Sequence, residues 1–290
     1  MTSSSSPAMK IMAVLVIYER DLSQVRAWPW LVAELKDTGQ GGAKLEHVLV
    51  YDNSRSGAAE SAATIQDCSY LHDCDNGGTA AAYERAVALA VDKNIHWLLL
   101  LDQDTEPSQD FLEVAAAALT GGFEMPAALV PWVVDKQTVV SPARVTLLGS
   151  VRPLRYGSSW EHIHGLTAVA SGSLIQVAAM RQIVPFPREL WLDYVDHWIF
   201  AQLNLRGARI AVLDVVLRHS LAIRTPAQLS RRRLNSILDG ELYFHETLGP
   251  PARLIYPLRL LARLARYALS SPKSALNLAK WLVDASRTKC

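Results

Sequence analysis

Asp102 and Asp104 end the most apolar short run of the chain, His96-Trp-Leu-Leu-Leu-Leu-Asp-Gln-Asp-Thr105. Adjacent carboxylates at the end of a buried strand can hold a hard divalent cation. Mg2+ and Mn2+ take oxygen ligands, usually one or two carboxylates plus substrate phosphate oxygens. Two residues apart on an extended segment, both side chains face the same way. A cation held there neutralises charge building on a departing nucleotide diphosphate. The spacing alone says little, since the chain has 16 Asp and a second pair stands at Asp73 and Asp75. Another cluster is Trp191-Leu-Asp193-Tyr-Val-Asp196-His197-Trp198. Aromatic faces such as Trp191 and Trp198 stack on sugar rings, and carboxylates bind hydroxyls. One of these carboxylates, as general base, can take a proton from an attacking hydroxyl. Asp196 also reads as the N-cap of the helix that follows. His219 reads either as a metal ligand or phosphate contact, or as an ordinary surface residue at a strand end.

The elements that position these residues follow from hydrophobic periodicity. Ile11–Tyr18, Val48–Tyr51 and Ile95–Leu101 are continuous apolar runs. Such runs are strands buried on both faces, the mark of a parallel sheet covered by helices. Thr79–Asp92 carries Tyr83, Val87, Ala90 and Val91 at helical spacing. Pro107 is expected to open a helix running to Leu119. Ala127–Val134 reads as a strand, and 135–164 as a loop or irregular insertion. Leu166–Gln176 reads as one strand interrupted at Ser171-Gly-Ser173, Asp196–Leu205 as a helix, and Ala208–Leu217 as the last core strand. From Leu221 the chain reads as helical, broken at Gly249-Pro-Pro251. The repeated strand–helix–strand units predict an open α/β sheet.

In such a sheet ligands bind at the carboxyl ends of strands. Tyr18-Glu19-Arg20, Asp52-Asn53-Ser54 and Asp102-Gln103-Asp104 all fall there. Asn76-Gly77-Gly78 precedes a helix whose N-terminus favours an anion. Each cluster alone also reads as ordinary turn chemistry, and their convergence on one sheet edge is what favours a ligand site there.

At 290 residues, half apolar and a fifth charged, the chain is globular. Its net charge of +1 hides a split: residues 221–290 carry 12 Lys/Arg against 4 Asp/Glu, and residues 1–220 carry 17 against 24. Arg259, Arg263 and Arg266 share a helical face in Leu258–Leu269. A basic amphipathic helix suits an anionic membrane surface, and it suits equally packing on the core or in a homo-oligomer. No binding module is present and the basic residues are not interleaved with aromatics, which argues against nucleic acid. Three cysteines without metal-ligand spacing indicate a reducing compartment. The N-terminus lacks a basic segment and a cleavage site, and no apolar stretch reaches about 20 residues. The expected location is cytoplasmic, peripheral on the inner membrane.

With Val50-Tyr-Asp-Asn-Ser54, Asn76-Gly-Gly-Thr-Ala-Ala-Ala82, Leu100-Leu-Asp-Gln-Asp-Thr105, Ala170-Ser-Gly-Ser-Leu174, Leu192-Asp-Tyr-Val-Asp196 and Leu217-Arg-His219 in this order, the chain resembles the family 2 glycosyltransferases, within them the rhamnosyltransferase-like branch. The resemblance covers roughly residues 10–220. It implies a GT-A fold, with a catalytic domain over 8–220 and a basic helical region over 221–290. It also implies inverting transfer from a dTDP- or UDP-sugar, dTDP-rhamnose being the best match, onto a bacterial surface glycan or lipid-linked acceptor. By the resemblance, Asp52 contacts the base or ribose, and Tyr18 and Asn76 join it at the donor. Asp102 and Asp104 bind Mg2+ or Mn2+ and the diphosphate, with His219 beside them. Ser171 and Gly172 line the sugar pocket, Asp193 binds sugar hydroxyls, and Asp196 is the catalytic base. The chain departs from the family at Glu19, Trp198 and Gln202, where Asn, a carboxylate and an arginine are usual. Those changes keep a non-catalytic glycan- or membrane-binding homologue open. A sugar-phosphate nucleotidyltransferase needs a glycine-rich loop after the first strand, and Tyr18-Glu-Arg-Asp-Leu22 has no glycine. A glycoside hydrolase needs two carboxylates flanking the bond and no metal.

Overall fold

A computed structural model describes residues 9–37, 42–57, 59–119, 125–157, 165–218 and 230–288. In chain order the first half holds β1 (Met9–Ile17), α1 (Trp28–Lys36), β2 (Ala43–Asp52), β3 (Cys68–His72), α2 (Gly78–Asp92), β4 (Trp97–Asp102) and α3 (Phe111–Ala117). Then come β5 (Ala128–Asp135), β6 (Thr138–Ser141), β7 (Ala143–Val145), β8 (Val151–Pro153), β9 (Leu166–Thr167) and β10 (Leu174–Gln176). The four-residue α4 (Val177–Met180), α5 (Val195–Leu205) and β11 (Ile210–Arg218) complete the sheet region, and α6 (Arg231–Thr247), α7 (Pro250–Ser270) and α8 (Pro272–Thr288) follow.

The main sheet runs β11-β5-β10-β4-β1-β2-β3, with β6 added on β5. β1, β2, β3 and β4 are parallel, as are β5 and β11, while β10 runs antiparallel between β4 and β5. The apolar runs are buried on both faces, as expected. Met12, Val14 and Val16 of β1 join a core with Tyr83, Ala86 and Phe200. Ile11, Ala13, Leu15 and Ile17 join the opposite core with Leu31 and Phe111. This is the mixed α/β, mostly parallel architecture that the sequence predicts.

The boundaries differ from expectation in four places. The helix expected from Pro107 begins only at Phe111. Glu106 bridges to Arg218 and its N–H donates to the Arg218 carbonyl at 3.4 Å, so the chain is held extended there. Within 135–164, β6 extends the main sheet, and β7 and β8 join β9 in a second, three-stranded sheet, so this segment is not simply irregular. Leu166–Gln176 is two strands in two sheets, β9 and β10, because Gly172 turns at a positive φ between them. α1 and the half-buried edge strand β3, with its mixed Cys-Ser-Tyr-Leu-His sequence, carry too little periodicity to be read in advance.

In the C-terminal helices, two of the α7 arginines pack against the rest of the chain, one of the alternatives the sequence leaves open. Leu234, Leu238, Tyr256, Leu260, Leu278 and Trp281 form a separate small core. Arg263 grips the buried Glu241 carboxylate of α6 with two hydrogen bonds, at 2.5 and 2.7 Å. Arg259 donates to Ser150 Oγ at 2.5 Å and lies 3.2 Å from His245 Nε2. Two of the three arginines on that helical face therefore point inward. A buried carboxylate is costly without a partner, and α7 supplies that partner.

Candidate active site

The sheet register brings the polar strand ends together. Ile17 stands beside Asp52, and Val16 beside Asp102. Just past β1, the Tyr18 N–H donates to Gln103 Oε1 at 2.9 Å and the Glu19 N–H to Ser54 Oγ at 2.7 Å. The Glu19 carboxylate accepts from the Arg55 N–H at 3.0 Å. The ends of β4, β1 and β2 are thus tied into one edge. Glu19, unusual in sequence, serves as a clamp between β1 and β2. Asp52 is fully buried beneath this edge. Its carboxylate accepts from the Ser54 N–H and the Tyr70 hydroxyl, both at 2.9 Å. Burial, then Asp52, pushes the Tyr70 hydroxyl up to about 12. In this structure Asp52 shapes the Asn53–Ser54 turn from below.

The Asn76–Gly78 loop is fixed by Asp73, a member of the pair with the less distinctive surroundings. Its carboxylate accepts from the Tyr51 hydroxyl at 2.7 Å, the Gly77 N–H at 2.9 Å and the Asp75 N–H at 3.1 Å. Burial pushes this carboxyl up, and those three donors more than offset it, holding it below its ordinary value. The Gly78 N–H donates to Asn53 Oδ1 at 3.0 Å, which ties the loop to the end of β2. Asn76 sits in the left-handed region at φ 56.

At the end of β4 only Asp102 is in the strand. The Thr105 N–H returns to the Asp102 carbonyl at 3.2 Å, so Gln103 and Asp104 form a turn. This corrects the extended reading of the pair: Asp104 lies in a tight turn and not in the strand. Ser171 braces the turn. Its buried Oγ accepts from the Asp102 N–H at 2.8 Å and hydrogen-bonds to Thr105 Oγ1. Gly172 is needed for packing, since a Cβ there would lie 2.2 Å from Leu217 Cδ1. Ser171, expected to line a sugar pocket, thus supports the carboxylate turn, and Gly172 beside it packs closely on Leu217 of β11.

The second cluster reaches the same place from α5. Tyr194, at φ 64, is the N-cap of α5, so Asp196 is a first-turn residue and not the cap. Asp196 is half-buried, and its Oδ1 accepts from the His197 N–H at 2.7 Å. Tyr83 of α2 is fully buried in the core under this edge. Its hydroxyl is pushed well up by burial, and the charges of Asp102 and of Asp196 add to the shift.

Asp193 is nine-tenths buried and pairs with Arg233 of α6 at 2.8 Å. Burial raises its carboxyl above the ordinary value, with Arg233 opposing, and its Oδ2 has no hydrogen-bond partner among the described residues. Trp191 is covered by Arg232, 4.7 Å from the ring centroid. Trp198 packs on Tyr243 at 5.5 Å, with its Nε1 buried and unpartnered among the described residues. Arg232, Arg233 and the close approach of Gly240 to the Asp193 carbonyl make α6 a wall of the site. Their only trace in the sequence is the Arg231-Arg-Arg233 run. His219 lies outside the described residues.

The 191–198 loop is seated on α2 at Gly78. The Ala80 N–H donates to the Trp191 carbonyl at 3.1 Å, and Thr79 Oγ1 donates to the Leu192 carbonyl at 3.0 Å. A Cβ on Gly78 would stand 2.1 Å from the Trp191 oxygen, and Gly78 has φ +76. Gly78→Ala must push away the loop that leads to Asp196. It is expected to lower kcat at least about tenfold, because ångström displacements of catalytic groups cost this much or more. Steady-state kinetics with a thermal melt check this; wild-type kcat in a folded Gly78→Ala variant refutes the coupling.

The donor set suits a divalent cation. Asp102 and Asp104 are half-buried carboxylates, at the end of β4 and in the turn that follows it. Among the described residues no group of three or more His, Cys, Asp or Glu is placed to hold a metal ion. Two carboxylates are the share that a protein supplies when a diphosphate completes the coordination.

The glycosyl transferase family 2 model matches residues 31–183, more than half of the chain. The fold is similar to that of GalNAc-T7 solved with UDP, GalNAc and Mn2+, at 12% identity and a TM-score of 0.54 over 86% of this chain and 53% of that one. The present chain thus spans about half the length of that protein. It is also similar to residues 1–349 of S. aureus TarS in complex with UDP-GlcNAc, at 17% identity and a TM-score of 0.54 over 93% of this chain and 79% of that one. No curated protein matches the chain in sequence. The structural likenesses establish the GT-A fold, and the family match covers β2 to β10 with the whole Asp73, Asp102 and Ser171 framework: the chain belongs to glycosyl transferase family 2.

Proposed function

We propose that the chain is an inverting glycosyltransferase that moves a sugar from a nucleotide diphosphate sugar to a hydroxyl of a bacterial surface glycan or lipid-linked acceptor. The observation that carries this reading is the gathering of polar groups at one sheet edge: the register sets Asp52 and Asp102 at the ends of β2 and β4, and the start of α2, tied to Asn53, holds the loop that leads to Asp196. In this reading Asp102 faces the donor diphosphate and Asp196, in the first turn of α5, faces the acceptor. UDP in the GalNAc-T7 structure and UDP-GlcNAc in the TarS structure support a nucleotide diphosphate sugar as donor. The Asp-Gln-Asp and Leu-Asp-Tyr-Val-Asp sequences support dTDP-rhamnose as the first donor to try.

In this reading the Asp73-held loop and the end of β2 receive the nucleotide. The turn braced by Ser171 presents Asp102 and Asp104 to the diphosphate and to Mg2+ or Mn2+, as the Mn2+ of the GalNAc-T7 structure suggests. When bound, the cation supplies charge neutralisation on the leaving diphosphate. Asp196 takes the proton of the acceptor hydroxyl at its carboxylate. The acceptor oxygen then bonds to the anomeric carbon from the face opposite the diphosphate, and the bond from that carbon to the diphosphate oxygen breaks. The nucleoside diphosphate leaves with the bonding pair, and the configuration inverts. Asp193, held by Arg233, and Trp198 line the sugar side.

The test is turnover of a panel of dTDP- and UDP-sugars in an extract containing native acceptor, with Mg2+, with Mn2+ and with chelator. Release of nucleoside diphosphate that needs the metal is expected. Absence of both turnover and donor binding across the panel refutes the reading and favours a non-catalytic homologue, for which Trp198 and Gln202 are the supporting departures.

A further inference from the structure

With Arg259 and Arg263 turned inward, the outward face of α7 is apolar. Leu254, Leu258, Leu261 and Leu269 are 77%, 61%, 58% and 92% exposed, and Ala265 completes the row. Their spacing of four, three, four and four residues keeps them on one stripe along the 21-residue helix. Arg253 and Arg266, both exposed, fall on its two flanks. α7 contains four arginines and no acidic residue, and the adjoining α8 adds exposed Lys273 and Lys280. Leucines repeated on an open helix face are not the ordinary single exposures of a protein surface.

We propose that α7 docks this leucine stripe into the interface of an anionic lipid bilayer, lying along the surface. Among the described residues no helix is long and apolar enough to cross a membrane, so the helix lies on it. Charge selects the occupant. An anionic headgroup layer complements flanking arginines that have no acid on their own helix, whereas a second copy of the same face would bring like charges together. A helix with an apolar stripe and basic edges is the form that settles at such an interface. The inward arginines give the docking its reach. Arg263 on Glu241 and Arg259 on Ser150 fasten α7 to α6 and to the β7–β8 turn, and α6 in turn holds Trp191 and Asp193. A docked α7 therefore holds the catalytic cleft at a fixed height above the lipid, where a lipid-linked acceptor is presented. The docking itself stands apart from the proposed transfer reaction and is tested without it.

The experiment is co-flotation of the full chain with vesicles of phosphatidylcholine alone or mixed with phosphatidylglycerol. Wild type is expected to float with the anionic vesicles, and to be released by high salt in part, since screening weakens only the charge contribution. Leu258→Gln/Leu261→Gln, at exposed positions that leave the core intact, is expected to weaken binding at least about tenfold. Arg253→Glu/Arg266→Glu is expected to weaken it by a similar factor. Failure of wild type to float with anionic vesicles overturns the proposal. So does unchanged binding of the leucine variant. Self-association in sedimentation equilibrium that the leucine variant abolishes, without vesicle binding, assigns the stripe to a second copy and also overturns it.

Discussion

Asp196→Asn is expected to lower kcat by about 10²–10⁴-fold, the usual contribution of a positioned general base. The substitution keeps the shape of the side chain. A carboxamide oxygen can still accept the His197 N–H that Asp196 Oδ1 now holds at 2.7 Å, so α5 should start as before. The lost property is the ability to take a proton. In the proposed reading donor binding rests on the β2 and β4 strand ends, so the affinity for nucleotide diphosphate sugar should stay near wild type. Asp193→Asn is the control. Asp193 is engaged by Arg233 at 2.8 Å, and its replacement should raise the KM of the sugar-bearing substrate more than it lowers kcat. The two variants are compared by steady-state rates and by donor titration. Wild-type turnover in Asp196→Asn removes it as base, and a collapse of donor binding makes its role structural.

Arg263→Met is expected to lower the thermal midpoint by about 10 °C. Removing one partner of a buried ion pair costs about 3–5 kcal/mol, because the other charge stays buried alone. Arg263 retains 20% of its side-chain exposure and Glu241 only 7%, which places the cost near the lower end. For a chain of this size each kcal/mol is worth about 2–4 °C. The stranded carboxylate would sit beside Gly240 and Tyr194, under the start of α5, so kcat should fall as well. Arg263→Met with Glu241→Met removes both charges and should recover most of the midpoint, since a packed apolar pair can replace a buried ionic one. Thermal melts of the two single variants and the double variant measure the coupling. An unchanged midpoint for Arg263→Met would show that the pair is not what joins α7 to α6.

β1, β2 and β4 were legible because a strand segment buried on both faces must be apolar, and each holds a continuous apolar run. α2 and α5 were legible from helical spacing. The second sheet was not, because β7, β8 and β9 are two or three residues long and leave no period to detect. Asp73 looked like a chance repeat because its function depends on Tyr51 and Gly77, which only the fold brings to its carboxylate. Ser171 was visible as a motif, but its use as a brace depends on β10 lying antiparallel beside β4. The arginines of α7 show the limit most sharply. Their shared helical face was legible and its direction was left open, since a helix turns inward whichever face finds partners, here Ser150 and Glu241.

By itself the sequence determined that this protein has a family 2 sheet, which residues end its strands, and which carboxylates are candidates for chemistry. These are local properties, set by periodicity and residue type along the chain. Only the tertiary structure decided that the loop leading to Asp196 is seated on α2, that α6 walls the site, and that α7 presents leucines outward. Those outcomes depend on contacts between residues far apart in the chain, where burial and charge pairing choose among faces that the sequence leaves equivalent.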